Sequence, residues 1–242
     1  MREQPAPDWS VGVVVPARNE ERLIGRCLSA LDGAAARLRR ERPHTGVGIV
    51  VVLDSCDDAT AEVVAGFPGA MALTVDACRV GTARAVGVAR LGRHLRHPSR
   101  SWIASTDADS AVPDTWLVDQ LALADTGVEL VTGFVATDLS DSPAAVHDLA
   151  PTARHIPDGH RFVYGSNLGF TLKTYLVLGG FAPVPAHEDV DFVERARRHG
   201  VRCHASGSIC VLTSGRVDGR TPEGYAAFLR TLAQPDLAME TA

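Results

Sequence analysis

No apolar run in the sequence approaches the roughly 20 residues that a membrane helix needs, so no transmembrane segment is expected. The five cysteines, Cys27, Cys56, Cys78, Cys203 and Cys210, are scattered and form no C-x-x-C pair. That spacing excludes a zinc knuckle or a dithiol redox motif and suits idle thiols in a reducing compartment. The first residues, Met1 to Asp8, have no apolar segment behind their charge, so no secretory signal is expected and the protein is read as cytoplasmic. Aromatic residues make up only 5% of the chain, and 24 basic residues stand against 29 acidic ones. With a formal charge of −5 and no basic excess, the electrostatic footprint and the stacking platforms of a nucleic-acid binder are missing. Neither G-x-G-x-x-G nor a P-loop follows the first apolar run, which argues against a dinucleotide or P-loop nucleotide site.

What is present is the balance of an ordinary globular chain, 45% hydrophobic and 22% charged. Val11 to Val15 and Ile49 to Leu53 are continuous β-branched and aliphatic runs, and Ala70 to Val75 and Trp102 to Ser105 are two further candidate strands. Helical patterns separate them, from Asn19 to about Arg40, from about Asp58, and from about Thr82 to Leu95. Apolar runs without alternation suit strands buried on both faces, and helical spacers imply right-handed crossovers. The expected class is α/β, a central, mostly parallel Rossmann-like sheet flanked by helices. After about residue 136 strand signals thin. Thr137 to Gly159 reads as a loop or irregular helical segment, followed by a helix from Glu188 to about His199, two short strands and an amphipathic stretch near Tyr225 to Leu232.

Ligands of open α/β sheets bind beyond the carboxyl ends of the strands, and polar residues collect there. Pro16-Ala17-Arg18-Asn19-Glu20 follows the first strand, Asp54-Ser55 the second and Asp107-Ala108-Asp109 the fourth. Alternate residues of an extended segment point the same way, so Asp107 and Asp109 can address one ion. Hard carboxylate oxygens favour Mg²⁺ or Mn²⁺, with a diphosphate as natural co-ligand. His187-Glu188-Asp189-Val190-Asp191 opens a helix, where acidic residues either complement the helix dipole or place a general base beside an acceptor hydroxyl. Arg84, at the start of a helix, and Arg216, in Thr213-Ser214-Gly215-Arg216, are candidates for phosphate contacts or for plain surface positions.

Taken in order, Val13 to Glu21, Leu53 to Asp58, Gly81 to Ala85, Thr106 to Asp109, Gly179-Gly180-Phe181 and Glu188-Asp189 resemble the inverting family 2 glycosyltransferases of the GT-A fold. The resemblance implies one GT-A domain over residues 1–242. Its nucleotide-sugar-binding half would cover about 11–110 and its acceptor-binding half about 111–242. It implies that Pro16, Arg18 and Glu20 line the nucleoside pocket, that Asp54 meets the base or ribose, and that Arg84 lies near the nucleotide. Asp107 would touch ribose or sugar and share with Asp109 a divalent cation, Mg²⁺ or Mn²⁺. Asp189 would be the catalytic base, supported by Glu188. The implied activity moves a sugar from a nucleotide-diphosphate donor, a UDP-sugar first among them, to an unidentified small-molecule, glycan or lipid-linked acceptor, with inversion.

Three departures stand out. Leu53-Asp54-Ser55-Cys56 replaces the frequent Asp-Asp-Gly-Ser, Thr213-Ser214 stands where many members carry a metal-binding histidine, and Q-x-x-R-W is absent. Single transfer rather than polymerisation is therefore expected. A nucleotidyltransferase, a retaining glycosyltransferase and a nucleotide-binding relative without turnover are the alternatives.

Overall fold

A computed structural model describes residues 8–95, 97–147, 150–152, 156–219 and 223–233. The chain runs β1 (Ser10–Ala17), α1 (Ile24–Glu41), β2 (Gly46–Asp54), α2 (Thr60–Ala65), β3 (Ala70–Val75), α3 (Val80–Gly92), β4 (Ser101–Ser105) and β5 (Ser110–Ala111). It continues through α4 (Trp116–Asp125), β6 (Leu130–Asp138), β7 (Leu168–Thr171), α5 (Leu172–Val177), α6 (Glu188–Arg198), β8 (Cys203–Ser214) and α7 (Tyr225–Ala233). The eight strands form one sheet in the order β3-β2-β1-β4-β7-β6-β8-β5. The pairs β1–β2, β1–β4, β2–β3 and β6–β8 are parallel; β7 runs antiparallel to both β4 and β6, and β5 antiparallel to β8. This is the expected α/β architecture, a mostly parallel sheet with helices on its faces.

The apolar strand runs sit where their lack of alternation says they should. Val13, Val14 and Val15 are fully buried in mid-sheet, with Val14 packing among α3 and Val13 and Val15 among α1. One face is sealed by α1 and α4 through Leu28, Leu31, Trp116 and Leu121, the other by α3, α5 and α6 through Val88, Tyr175 and Phe192. At about 25 cal/mol per Å² of apolar surface, these two layers supply most of the drive to fold.

Several boundaries differ from the sequence reading. The helix expected from Asn19 starts at Ile24, because Asn19 takes a left-handed conformation (φ 54°) and Glu20 to Leu23 form a turn on the Glu20 carbonyl. The two short strands expected near the end are one twelve-residue strand, β8, with a register shift against β6 at Gly133/Phe134. Buried Asn167 fills that irregularity: its Nδ2 donates to the Phe134 and Ile209 carbonyls at 2.7 and 2.9 Å, and its Oδ1 accepts from Trp116 Nε1 at 2.9 Å. Within 137–159, 3₁₀ turns form at Leu139–Asp141 and Ala144–Val146; the rest of that expected loop lies partly outside the described residues. Val146 and Ala150 pack on Leu229 of α7, so this segment and the final helix brace each other.

Candidate active site

The carboxyl ends of β1, β2 and β4, the start of α6 and the end of β8 surround one cavity of about 480 Å³. Pro16, Arg18, Glu20, Asp54, Arg84, Asp107, Asp109, Glu188 and Asp189, the residues singled out from the sequence, all line it. The backbone is bent to build it. Among the described residues, the four non-glycine positions with positive φ, Asn19, Ser55, Cys78 and His187, lie just after β1, just after β2, before α3 and before α6. Each left-handed residue costs on the order of 1 kcal/mol, and all four lie at or next to this rim.

Two arginines organise the carboxylates. Arg84 is buried at 3% exposure, with Nη1 donating to Glu188 and Nη2 to Asp107. Its guanidinium thus ties the end of β4 to the start of α6. Two glycines make room for this pair. A Cβ on Gly81 would stand 2.7 Å from Glu188 Cγ, and one on Gly165 would stand 2.6 Å from Arg84 Cζ. The facing carboxylates raise the pKa of Arg84 against the lowering effect of burial, whereas burial raises Glu188 and outweighs Arg84's attraction. Both directions belong to one tight pair, and the net attraction of Arg84 for two carboxylates is the firmer of them.

Arg216 is the second organiser. It grips Glu20 with both terminal nitrogens, Nη1 at 2.7 Å, and Nη2 also donates to Asp109 Oδ2 at 2.8 Å. The other Asp109 oxygen is approached only by the hydroxyls of Ser110 and Thr213, at 3.3 and 3.4 Å. Burial and the adjacent Asp107 carboxylate push Asp109 up to about 6. Asp54 is placed differently from a free base-binding carboxylate. Oδ1 accepts from the Ala77 and Cys78 amides at 2.8 and 2.9 Å, and Oδ2 from Arg79 N at 3.1 Å. It shapes the loop before α3 as well as lining the cavity.

Asp189 is half-buried at the start of α6. Its Oδ2 accepts from Gly165 N at 2.6 Å and its Oδ1 from Val190 N at 2.8 Å. Two backbone donors therefore hold the carboxylate in a fixed direction on the cavity wall. Sequence reasoning missed Gly165's role and also missed a ring wall of Phe162, Tyr164, Tyr225 and Phe228. The alternation Phe162-Val163-Tyr164, which sets two rings on one side of an extended segment, was the available signal.

Seven carboxylates and four guanidinium groups line the cavity among the described residues. An anionic diphosphate entering so acidic a pocket needs an added cation. No group of three or more His, Cys, Asp or Glu side chains is arranged as a metal cage among the described residues. Asp107 and Asp109 nonetheless fit an ion such as Mg²⁺ or Mn²⁺, which commonly takes one or two carboxylates and completes its shell with phosphate oxygens and water. Arg216 already occupies one Asp109 oxygen, so such an ion competes with a resident cation. Arg216→Gln is expected to tighten Mn²⁺ binding to the nucleotide-free protein by about ten-fold or more, because it removes the positive charge bonded to Asp109, and like charges a few Å apart repel by several kcal/mol at an effective dielectric of about 20. Electron paramagnetic resonance of free Mn²⁺ reads this directly; unchanged affinity would place the ion away from Asp109.

The sequence matches the family described as glycosyltransferase like family 2 over residues 7–217. The chain belongs to that family. Its members are glycosyltransferases, and this chain is one by the same standing. Among curated protein sequences none matches it. Solved structures with the same fold include TarS of S. aureus, residues 1–349, at 13% identity and TM-score 0.61, covering 94% of this chain and 70% of that one. The mannosyltransferase PcManGT from Pyrobaculum calidifontis, solved with GDP-Man and Mn²⁺, gives 22% identity and TM-score 0.58 over 99% of this chain and 69% of its own. Glucosyl-3-phosphoglycerate synthase of Mycobacterium tuberculosis, solved with Mn²⁺ and UDP-glucose, gives 15% and 0.52 over 96% and 78%. No helix among the described residues is long and apolar enough to cross a membrane.

Proposed function

We propose that this glycosyltransferase moves a sugar from a nucleotide-diphosphate donor, a UDP-sugar first among the candidates, to an acceptor hydroxyl with inversion at the anomeric carbon. The observation that carries the reading is the convergence of Asp107, Asp109 and the amide-held Asp189 on one cavity beyond the strand ends. Donor contacts fall to Pro16 at the end of β1, to Arg18 and Glu20 just after it, and to Asp54 at the end of β2 with the loop it holds. Asp107 and Asp109 would hold a divalent cation together with the diphosphate, and that ion would neutralise charge developing on the leaving phosphate.

Arg84 acts as a positioning group, since both its ends are taken by Asp107 and Glu188. Glu188 thereby supports its neighbour. Asp189 accepts the proton of the acceptor hydroxyl as that oxygen attacks the anomeric carbon and the nucleoside diphosphate departs on the opposite face. One displacement inverts the centre. A cytoplasmic setting suits the five free cysteines.

Calorimetric titration with UDP, GDP and dTDP, each with Mn²⁺ and with EDTA, tests the donor site. One nucleotide is expected to bind in a metal-dependent way, and its sugar conjugates then become the assay donors. Failure of all three to bind would leave a scaffold without the proposed chemistry. The anomeric configuration of the product, read by NMR, tests inversion.

A further inference from the structure

Phe162 and Phe228 are 48% and 46% exposed although both line the cavity. They belong to a continuous set of rings. Phe162 stacks on Tyr164 with centroids 6.1 Å apart, Tyr164 meets Tyr225 edge-on at 6.0 Å, and Tyr225 meets Phe228 at 5.8 Å. In a chain with 5% aromatic residues, this is a concentration that core packing does not demand, since the two outer rings are left half in water.

The wall is attached at both ends to the segment that carries Asp189. Tyr164 precedes Gly165, whose amide donates to Asp189 Oδ2 at 2.6 Å. At the other end Glu223, two residues before Tyr225, bonds His187 Nε2 at 2.9 Å, and His187 is two residues before Asp189. A molecule whose hydroxyl reaches Asp189 therefore lays its body on these rings. Burial of a flat face against an exposed ring removes water from both surfaces, and a pocket of rings with few polar groups at its edge is the common form of a small-molecule site.

Charge narrows the occupant. The carboxylates of Asp189 and Glu223 stand at the two ends of the wall. The guanidinium groups of Arg84 and Arg216 are held by Asp107, Glu188, Glu20 and Asp109. Arg18 and Arg79 also line the cavity, Arg79 donating to the Pro183 carbonyl at 3.2 Å, and the seven carboxylates outnumber the four guanidinium groups. An anionic acceptor would meet like charge beside the reacting hydroxyl, and a neutral one would not.

We infer that the acceptor is an uncharged molecule that presents a ring face to Phe162, Tyr164 and Phe228 with its reacting hydroxyl at the ring's edge. This rests on the proposed role of Asp189 and names the acceptor class for that site. The shared chemistry is a neutral ring with an apolar face, the aromatic face of a phenol or the C–H face of a pyranoside.

The test is binding, which needs no turnover. Saturation-transfer NMR and calorimetry on the full chain, with and without UDP and Mn²⁺, would use 2-naphthol, methyl β-D-glucopyranoside and 3-phosphoglycerate as probes. At least one ring probe is expected to bind, and the anion to bind far more weakly. The double variant Phe162→Ala/Phe228→Ala is expected to weaken the ring probe at least about ten-fold, while Phe162→Tyr/Phe228→Tyr, which keeps both ring faces, restores it. The thermal unfolding midpoint by circular dichroism reports that each variant is folded. Preference for naphthol assigns a phenolic acceptor, and preference for the pyranoside assigns a sugar. Stronger binding of 3-phosphoglycerate than of either ring, or ring binding unchanged in the alanine variant, overturns the inference. If rings bind and respond to the variants while no nucleotide binds, the donor reading fails and the wall stands. If nucleotide binds and no ring does, the wall alone fails.

Discussion

Asp189→Asn is expected to lower kcat by roughly 10²–10⁴-fold, the range that a positioned general base supplies, with donor affinity nearly unchanged. The argument is geometric. Both oxygens of Asp189 already accept backbone N–H groups, from Gly165 and Val190. Such bonds hold the carboxylate in direction and leave each oxygen a further lone pair for an acceptor proton. An asparagine keeps the size of the side chain and one acceptor oxygen, so one of the two backbone ties, to Gly165 or to Val190, is retained. Its amide NH₂ must face the other donor, which costs about 1–3 kcal/mol for the unsatisfied group. Loss of proton acceptance, by contrast, acts only on the chemical step. The split between kcat and the nucleotide Kd separates the two, because a merely structural aspartate would move both. Normal turnover in the variant would remove Asp189 as base and turn attention to Glu188, its buried neighbour paired with Arg84.

Much of the fold is legible in the sequence, for definable reasons. The strands β1, β2 and β4 are continuous apolar runs, and burial on both faces is the condition that produces such runs. Asp107 and Asp109 announce themselves because strand-end carboxylates at a spacing of two share a direction. Other elements hide. The helix α4 buries Trp116, Leu117, Gln120, Leu121 and Ala124 along one face, but Val118 and Leu123 off that face are apolar too, so the sequence shows no clean 3.6-residue stripe. The bulged strand β8 reads as two strands because Gly207 and its neighbours break the apolar pattern. Arg84 and Arg216 could be flagged from sequence but not assigned partners. Their carboxylates lie 104 and 23 residues away for Arg84, and 196 and 107 for Arg216. Nothing in local spacing encodes pairings of that range. The ring wall is hidden for the same reason, since Tyr164 and Tyr225 meet only through the fold.

Asp109→Ala is the second large effect: metal-dependent donor binding is expected to vanish, so that UDP affinity in Mn²⁺ falls to its value in EDTA. The carboxylate removed lines the cavity and accepts from Arg216. Folding should tolerate the change better than the loss of an ion pair suggests. Arg216 keeps its two-nitrogen grip on Glu20, so its charge stays paired. Burial and the neighbouring Asp107 already disfavour the Asp109 charge, which is why its pKa sits near 6. Removing that charge relieves a repulsion at the same time as it removes an attraction. A melting temperature close to that of the parent, measured beside the calorimetry, would therefore accompany the lost metal dependence and show that the defect lies in the ion. Retained metal dependence would move the ion to Asp107 alone, and a collapse in melting temperature would make Asp109 a structural partner of Arg216. The three outcomes differ because Asp109 and Glu20 share one guanidinium, leaving the fold a second anchor when the first is cut.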